Sequence, residues 1–393
     1  MNTKPPRPQP VGGLVLFRQG FRPFFFAAGF WGVISVALWL AVVNGAASVS
    51  TTFGPAAWHT HEMIFGFTGA VIAGFLLTAI PNWTGRLPLQ GLPLLILFVM
   101  WLVGRVVMAI PIHMPSSLVA VLDLSFLTAL LLVVLREILS GRNWRNVPMP
   151  IALGGLLLAN VLTHLEAAGQ TQIGLIGQRL GIATIVMLIS LVGGRIIPSF
   201  TRNWLAKRAD THMPAGFGRF DRICLILTLV ALGAWVANSD SRLTGVALLV
   251  AGLASVVRLC RWRGHRTVSE PLVWGLHLGF AWVPVGLCLL GLGVLMPEFF
   301  PQTVGLHALT VGAIASMTLA VMTRAILGHT GRPLTADRWT TAIYILIAAA
   351  AAARVAAPIA LDGYDPLLWA SGLLWSAAFG LFTVHYGRML LAQ

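Results

Sequence analysis

Along the chain, apolar runs of about 20 residues alternate with short polar joints. A run of that length crosses the ~30 Å hydrocarbon core as a helix, the one open-ended structure that satisfies its own backbone polar groups in lipid. The pattern predicts twelve helices, at about 22 to 44, 60 to 80, 92 to 111, 116 to 139, 148 to 168, 173 to 197, 220 to 238, 242 to 260, 271 to 296, 303 to 326, 339 to 359 and 366 to 388. No soluble domain interrupts them, and the longest polar stretch, Thr201 to Arg219, is too short for a core of its own. The expected fold is therefore all-α, a single polytopic transmembrane domain over residues 1–393.

One signature recurs along these helices. His61 stands 23 residues before Thr84-Gly85-Arg86, and His307 stands 23 residues before Thr330-Gly331-Arg332. Gly66 matches Gly312, and Ala79-Ile80 matches Ala325-Ile326. A middle copy runs from Gln178 to Thr201 and carries glutamine where the others carry histidine. Such self-similarity marks an internal repeat, here four helices long, giving units of about 1–145, 146–266 and 267–393. An even helix number returns each unit to its starting side.

Composition agrees with the hydropathy: 57% of residues are hydrophobic and 10% charged, with a mean hydropathy of +0.85, outside the range of soluble domains. The net charge of +14 would by itself suggest nucleic acid, but its distribution excludes that partner. Lys4, Arg7, Arg86, Arg136, Arg142, Arg145, Lys207, Arg208 and the arginines from 258 to 266 occupy alternate joints. The opposite joints hold Glu166, Asp240, Glu298, Asp362 and Asp365 against Arg242 alone. This positive-inside pattern places both termini in the cytoplasm. The first apolar segment is expected to be a retained helix, having no small-residue cleavage site before a polar mature domain. Cys224, Cys260 and Cys288 show no paired spacing, so neither a disulfide framework nor a CxxC site is implied.

Ionisable groups within the spans are costly and usually face the bundle interior with partners. Two clusters result: an outer one of His59, His61, Glu62, Arg105, Asp123, His164, Arg179, His307 and Arg354, and an inner one of Arg22, Arg195, His277, Arg324, His329 and His385. His61 and His307 hold equivalent repeat registers, a geometry that suits axial ligation of a haem iron; Arg105, Arg179 and Arg354 would then pair its propionates. His59 and His61, two residues apart and about 200° around a helix, serve different neighbours. His59 with His164 is the expected second metal site, for copper, and His277 with His329 a further one. The alternative for each histidine is an interfacial residue bonding carbonyls, with His113, His212 and His265 solvated in joints.

The motifs WHTHEMIFGF, IAGFLLTAIPNWTGR, GGRIIPSFTRN, HLGFAW and HALTVGAI, with the FRPFFF opening, resemble the NnrS family over nearly the whole chain. That resemblance implies a bacterial inner-membrane protein containing haem and copper and tied to denitrification and the nitric oxide response; His59, His61, His164, His277, His307 and His329 are its motif histidines. A second resemblance, in architecture, is to the main subunit of haem-copper oxidases, with twelve helices in three arcs and low-spin haem ligands on helices two and ten. Gln178 and Arg179 stand where that subunit's copper ligands begin, so its standard reaction is not expected. The reading that follows is a multi-pass inner-membrane protein binding haem b, with copper besides, that contributes to nitric oxide tolerance and takes electrons from a respiratory donor. The alternatives are a secondary transporter of a metal, haem or anion, and an assembly partner of a respiratory complex.

Overall fold

The computed structural model describes residues 14–49, 53–110, 114–169, 175–360 and 362–392; Lys4, Arg7 and His113 lie outside them. Among the described residues all regular structure is helical, and twelve helices are long and apolar enough to cross a membrane. They are α1 (Phe21–Val43), α2 (Pro55–Thr84), α3 (Leu92–Ala109), α4 (Ser116–Ser140), α5 (Trp144–Ala167), α6 (Ile176–Ala206), α7 (Arg219–Ala237), α8 (Arg242–Cys260), α9 (Pro271–Leu295), α10 (Gln302–His329), α11 (Arg338–Ile359) and α12 (Tyr364–Leu391). The chain is a multi-pass membrane protein.

Two helices outrun their expected ends through an internal proline. α2 passes through Pro81 to Thr84 and stops at Gly85, whose φ of +71° closes it in the left-handed region. α6 passes through Pro198 to Ala206, so the joint once assigned to 201–219 shrinks to 207–218. Proline inside a membrane helix is tolerated where hydroxyls and local π turns re-satisfy the backbone. Near these prolines Thr78 and Thr201 donate to the carbonyls of Gly74 (2.7 Å) and Ile197 (2.9 Å), four residues back, while the carbonyls that the prolines leave without a helical donor are those of Leu77 and Gly194.

The chain forms two compact units, one of residues up to Gly181 with those from Thr383 on, the other Ile182–Phe382. In the first, α1 packs on α2, α3 on α4 and α4 on α5. Arg22 ties the start of α1 to the end of α12, donating to the carbonyls of Leu390 (2.7 Å) and Ala392 (2.8 Å), which no further helical turn serves. In the second, α8 packs on both α7 and α9, and α9 on α10. Arg258 on α8 bonds Asp221 on α7 at 3.0 Å and the Ser190 carbonyl on α6 at 3.0 Å.

A π-helical turn interrupts α2 at Glu62–Phe67, α6 at Ile189–Gly193 and α10 at Ala308–Ala315. In α2 and α10 it begins directly after His61 and His307. Gly66 and Gly312 fall inside these turns, and each admits an indole: a Cβ on Gly66 would stand 3.0 Å from Trp31 Nε1, and one on Gly312 2.6 Å from the Trp282 ring. π turns are rare and cluster at functional sites.

Close approach between α9 and α10 rests on Gly305, where a Cβ would overlap the Leu290 backbone. Gly305→Ala is expected to lower stability in detergent by about 1–3 kcal/mol. Gly154→Ala, at a helix position with nothing within 4 Å of the added carbon, is expected to be neutral or stabilising. A thermal melt of the two variants beside the parent chain checks both.

Candidate metal centre

The first unit gathers most of its buried ionisable groups at one place. α2 contributes His61 and Glu62 on successive residues at the start of its π turn, α3 contributes Arg105, and α4 contributes Asp123. α5 contributes Asn160 and His164, four apart and therefore on one face. Two glycines let these helices close in: a Cβ on Gly104 would lie 3.1 Å from Asp123 Oδ1, and one on Gly66 would lie 2.5 Å from Arg105 Nη1. His61 and Glu62 are 0% exposed, Arg105 and Asp123 2%, and His164 7%.

Asp123 is the hub of the cluster. Its Oδ1 accepts from Arg105 Nη2. Its Oδ2 accepts from Asn160 Nδ2 at 2.8 Å and faces His61 Nε2 at 3.1 Å and His164 Nε2 at 3.0 Å. His61 Nε2 also lies 2.9 Å from Asn160 Oδ1, while its Nδ1 lies 3.1 Å from Glu62 Oε1. Arg105 Nη1 donates to both Glu62 oxygens at 2.6 Å. Around this network the walls are aromatic, with Phe53 5.2 Å from both imidazole centroids and Phe65 5.0 Å from that of His61.

The charges do not cancel. Two carboxylates face one guanidinium, so with neutral imidazoles the cluster carries one net negative charge in a dry site, an arrangement that burial penalises heavily. A proton on an imidazole or a bound cation completes it. The donor set suits the cation: His61, Asp123 and His164 each offer one atom, and these lie within 4.8 Å of one another. Ligands held ~2.1 Å from a metal ion stand about 3 Å apart, close to the 3.0 and 3.1 Å that separate each Nε2 from Asp123 Oδ2. Two imidazoles and a carboxylate suit iron(II), copper or zinc. Glu62 behind His61 Nδ1 completes a carboxylate–histidine arrangement that fixes the ring and raises its basicity.

A flat macrocycle centred on His61 Nε2 would have to displace Asp123 and Asn160, so the surroundings of His61 fit a single ion and do not fit a haem. His59, expected to pair with His164, instead stacks on Trp39 at 4.6 Å and 15°; the histidine that meets His164 is His61, with ring centroids 5.4 Å apart. Arg105, assigned to a propionate, is engaged by Glu62 and Asp123. Arg179 is half-buried on α6. In the second unit His307 Nδ1 bonds the Thr303 carbonyl at 2.7 Å, and the Arg354 guanidinium lies 5.9 Å from the Tyr364 ring centroid. His277 is buried while His329 is exposed at the end of α10. Asn160 escaped the sequence reading, its only signal being the four-residue spacing to His164.

A family model described as NnrS protein matches residues 15–393. No curated protein matches the chain.

Arg105→Met keeps the apolar stem and leaves Glu62 and Asp123 without their cation. Loss of one partner from a buried pair costs about 3–5 kcal/mol, so the variant is expected to melt well below the parent in detergent. An unchanged melting temperature would mean that the carboxylates are not both ionised.

Proposed function

We propose, from the premise that the chain belongs to the NnrS family, that it serves the nitric oxide response through a non-haem metal centre buried within the bilayer. Family membership suggests the nitric oxide role; the convergence of His61, His164 and Asp123 in a cluster short of one positive charge supports the metal. Iron(II) and copper are the ions of choice for this reading. Bound there, such an ion supplies an open coordination position for a small ligand, because three protein atoms leave a site incomplete.

Each residue then has a task. His61 and His164 hold the ion through Nε2, and Asp123 holds it through Oδ2 while Arg105 fixes its other oxygen. Glu62 orients His61 from behind, and Asn160 keeps the Asp123 carboxylate in place through its amide N–H. Phe53 and Phe65 exclude water. Nitric oxide is small and apolar and concentrates in lipid, so a dry aromatic-walled site within the spans meets it directly. A haem b shared by His61 and His307, with a separate copper on His59 and His164, is the reading this one replaces.

Metal analysis of the detergent-purified chain is expected to find one tightly held iron or copper, absent from His61→Ala, His164→Ala and Asp123→Ala and retained in His59→Ala. Glu62→Gln should weaken metal affinity by about 10- to 100-fold. The oxidised and reduced absorption spectra decide between the readings: a b-type spectrum lost in both His61→Ala and His307→Ala would establish the haem pair instead.

In cells, the three ligand variants are expected to lose whatever nitric oxide tolerance the parent chain confers, while His59→Ala keeps it. Growth under a nitric oxide donor, at matched protein levels, measures this. Tolerance that survives loss of all three ligands would separate the metal from the function.

A further inference from the structure

The second unit holds a buried nitrogen whose lone pair meets no donor. His277, on α9, is 7% exposed, and its Nε2 lies 2.8 Å from Thr201 Oγ1 on α6. The Thr201 hydroxyl spends its proton on the Ile197 carbonyl at 2.9 Å, so at that contact Thr201 accepts and His277 donates through Nε2–H. A neutral imidazole has one N–H; Nδ1 is then an acceptor, and it has no hydrogen-bond partner. A buried acceptor without a donor is a standing cost that a ligand's O–H would remove.

The same side chain lines a groove of about 700 Å³, walled by Val268, Trp274, Leu278 and Ala281 with Cys260 and His265 at its polar edge. That volume lies in the range of sites for cofactor-sized ligands. The groove lies beside the arginine-rich joint after α8, at the end of the spans where lipid meets water. Gly264 in that joint is shaped to it: a Cβ there would stand 2.6 Å from His277 Nδ1, 2.7 Å from Cγ and 3.1 Å from Cε1. Distances so nearly equal place the missing carbon over the ring face, so the backbone covers that face.

These features select the ligand's chemistry. Apolar walls within a membrane-spanning unit call for a lipid-soluble molecule, and a lone pair as the inward polar group calls for a donor. A carboxylate or phosphate would oppose lone pair to lone pair. A macrocycle bound through Nδ1 would collide with the histidine's own helix, since that nitrogen sits beside Cβ. A flat aromatic ring with a hydroxyl and a long apolar tail meets every requirement. We infer that the groove binds a membrane quinol, whose hydroxyl donates to His277 Nδ1. The oxidised quinone carries only carbonyl acceptors and binds less well. This site is independent of the metal centre of the first unit.

The test is anaerobic equilibrium binding of decylubiquinol and decylubiquinone to the full-length chain in detergent. The quinol is expected to bind at least tenfold more tightly than the quinone. His277→Leu should weaken the quinol at least tenfold, and His277→Gln, which keeps an acceptor, should restore part of it. Ala281→Phe fills the groove from one turn along α9 while leaving the His277 side chain in place, and should abolish binding of both forms, so the proposal stays open to test if His277→Leu does not fold. His164→Ala, in the other unit, should change nothing here. Quinol affinity unaffected by His277→Leu or Ala281→Phe, or tighter binding of the quinone, would overturn the assignment. So would a porphyrin absorbance removed by His277→Leu.

Discussion

An unbalanced charge in a dry place governs the first unit. Glu62 and Asp123 are buried against a single guanidinium, Arg105, and neither carboxylate is exposed enough to be hydrated. Lipid on the outside and aromatic side chains on the inside give the cluster no solvent to lean on. Its polar groups must therefore satisfy one another to within a hydrogen bond, and four helices have to arrive in one register for that to happen. The π turn in α2, the glycines at 66 and 104, and the Asn160–His164 pair on α5 are all consequences of meeting that requirement.

The same arrangement is what makes the cluster a candidate for chemistry as well as for packing. A fully compensated ion pair would have been closed by one more arginine. Instead the deficit of positive charge is faced by two imidazole nitrogens, groups that bind either a proton or a metal ion. Arg105 takes one oxygen of Asp123 and leaves the other turned toward both histidines, which under the proposed metal centre would divide a single carboxylate between a structural and a ligating role. His61 is divided likewise, with Glu62 behind one nitrogen and the ligand position before the other.

The second unit solves its polar burdens differently. The Arg258–Asp221 pair is closed on itself and on the Ser190 carbonyl, and reads as a helix clamp. His277 is half-satisfied, with one nitrogen committed to Thr201 and the other buried without a hydrogen-bond partner. Cys224, Cys260 and Cys288 are free thiols, in line with their unpaired spacing. The π turn after His307 parallels that after His61, yet the residue next to it is Ala308 where α2 has Glu62, so the carboxylate that follows His61 has no counterpart directly after His307.

Period and length alone determined the twelve spans, because a bilayer accepts only helices of one approximate length and the chain complies throughout. The motifs determined the family, and the cost of burying charge placed His61, Glu62, Arg105, Asp123 and His164 in a wider outer cluster that also held His59, Arg179, His307 and Arg354. What the sequence left open was which of them touch. His59 and His61 differ by two positions and were both expected to be ligands, of different metals; the rotation of α2 sends one to Trp39 and the other to Asp123. Asn160 is an ordinary amide until α5 is set beside α2. Proline looked like an end to α2 and α6, but a proline removes one bond of the helical ladder and both helices continue past it. Contacts between distant positions depend on how helices rotate and slide against one another, and that is fixed by glycine clearances and polar matching that exist only once the helices are packed.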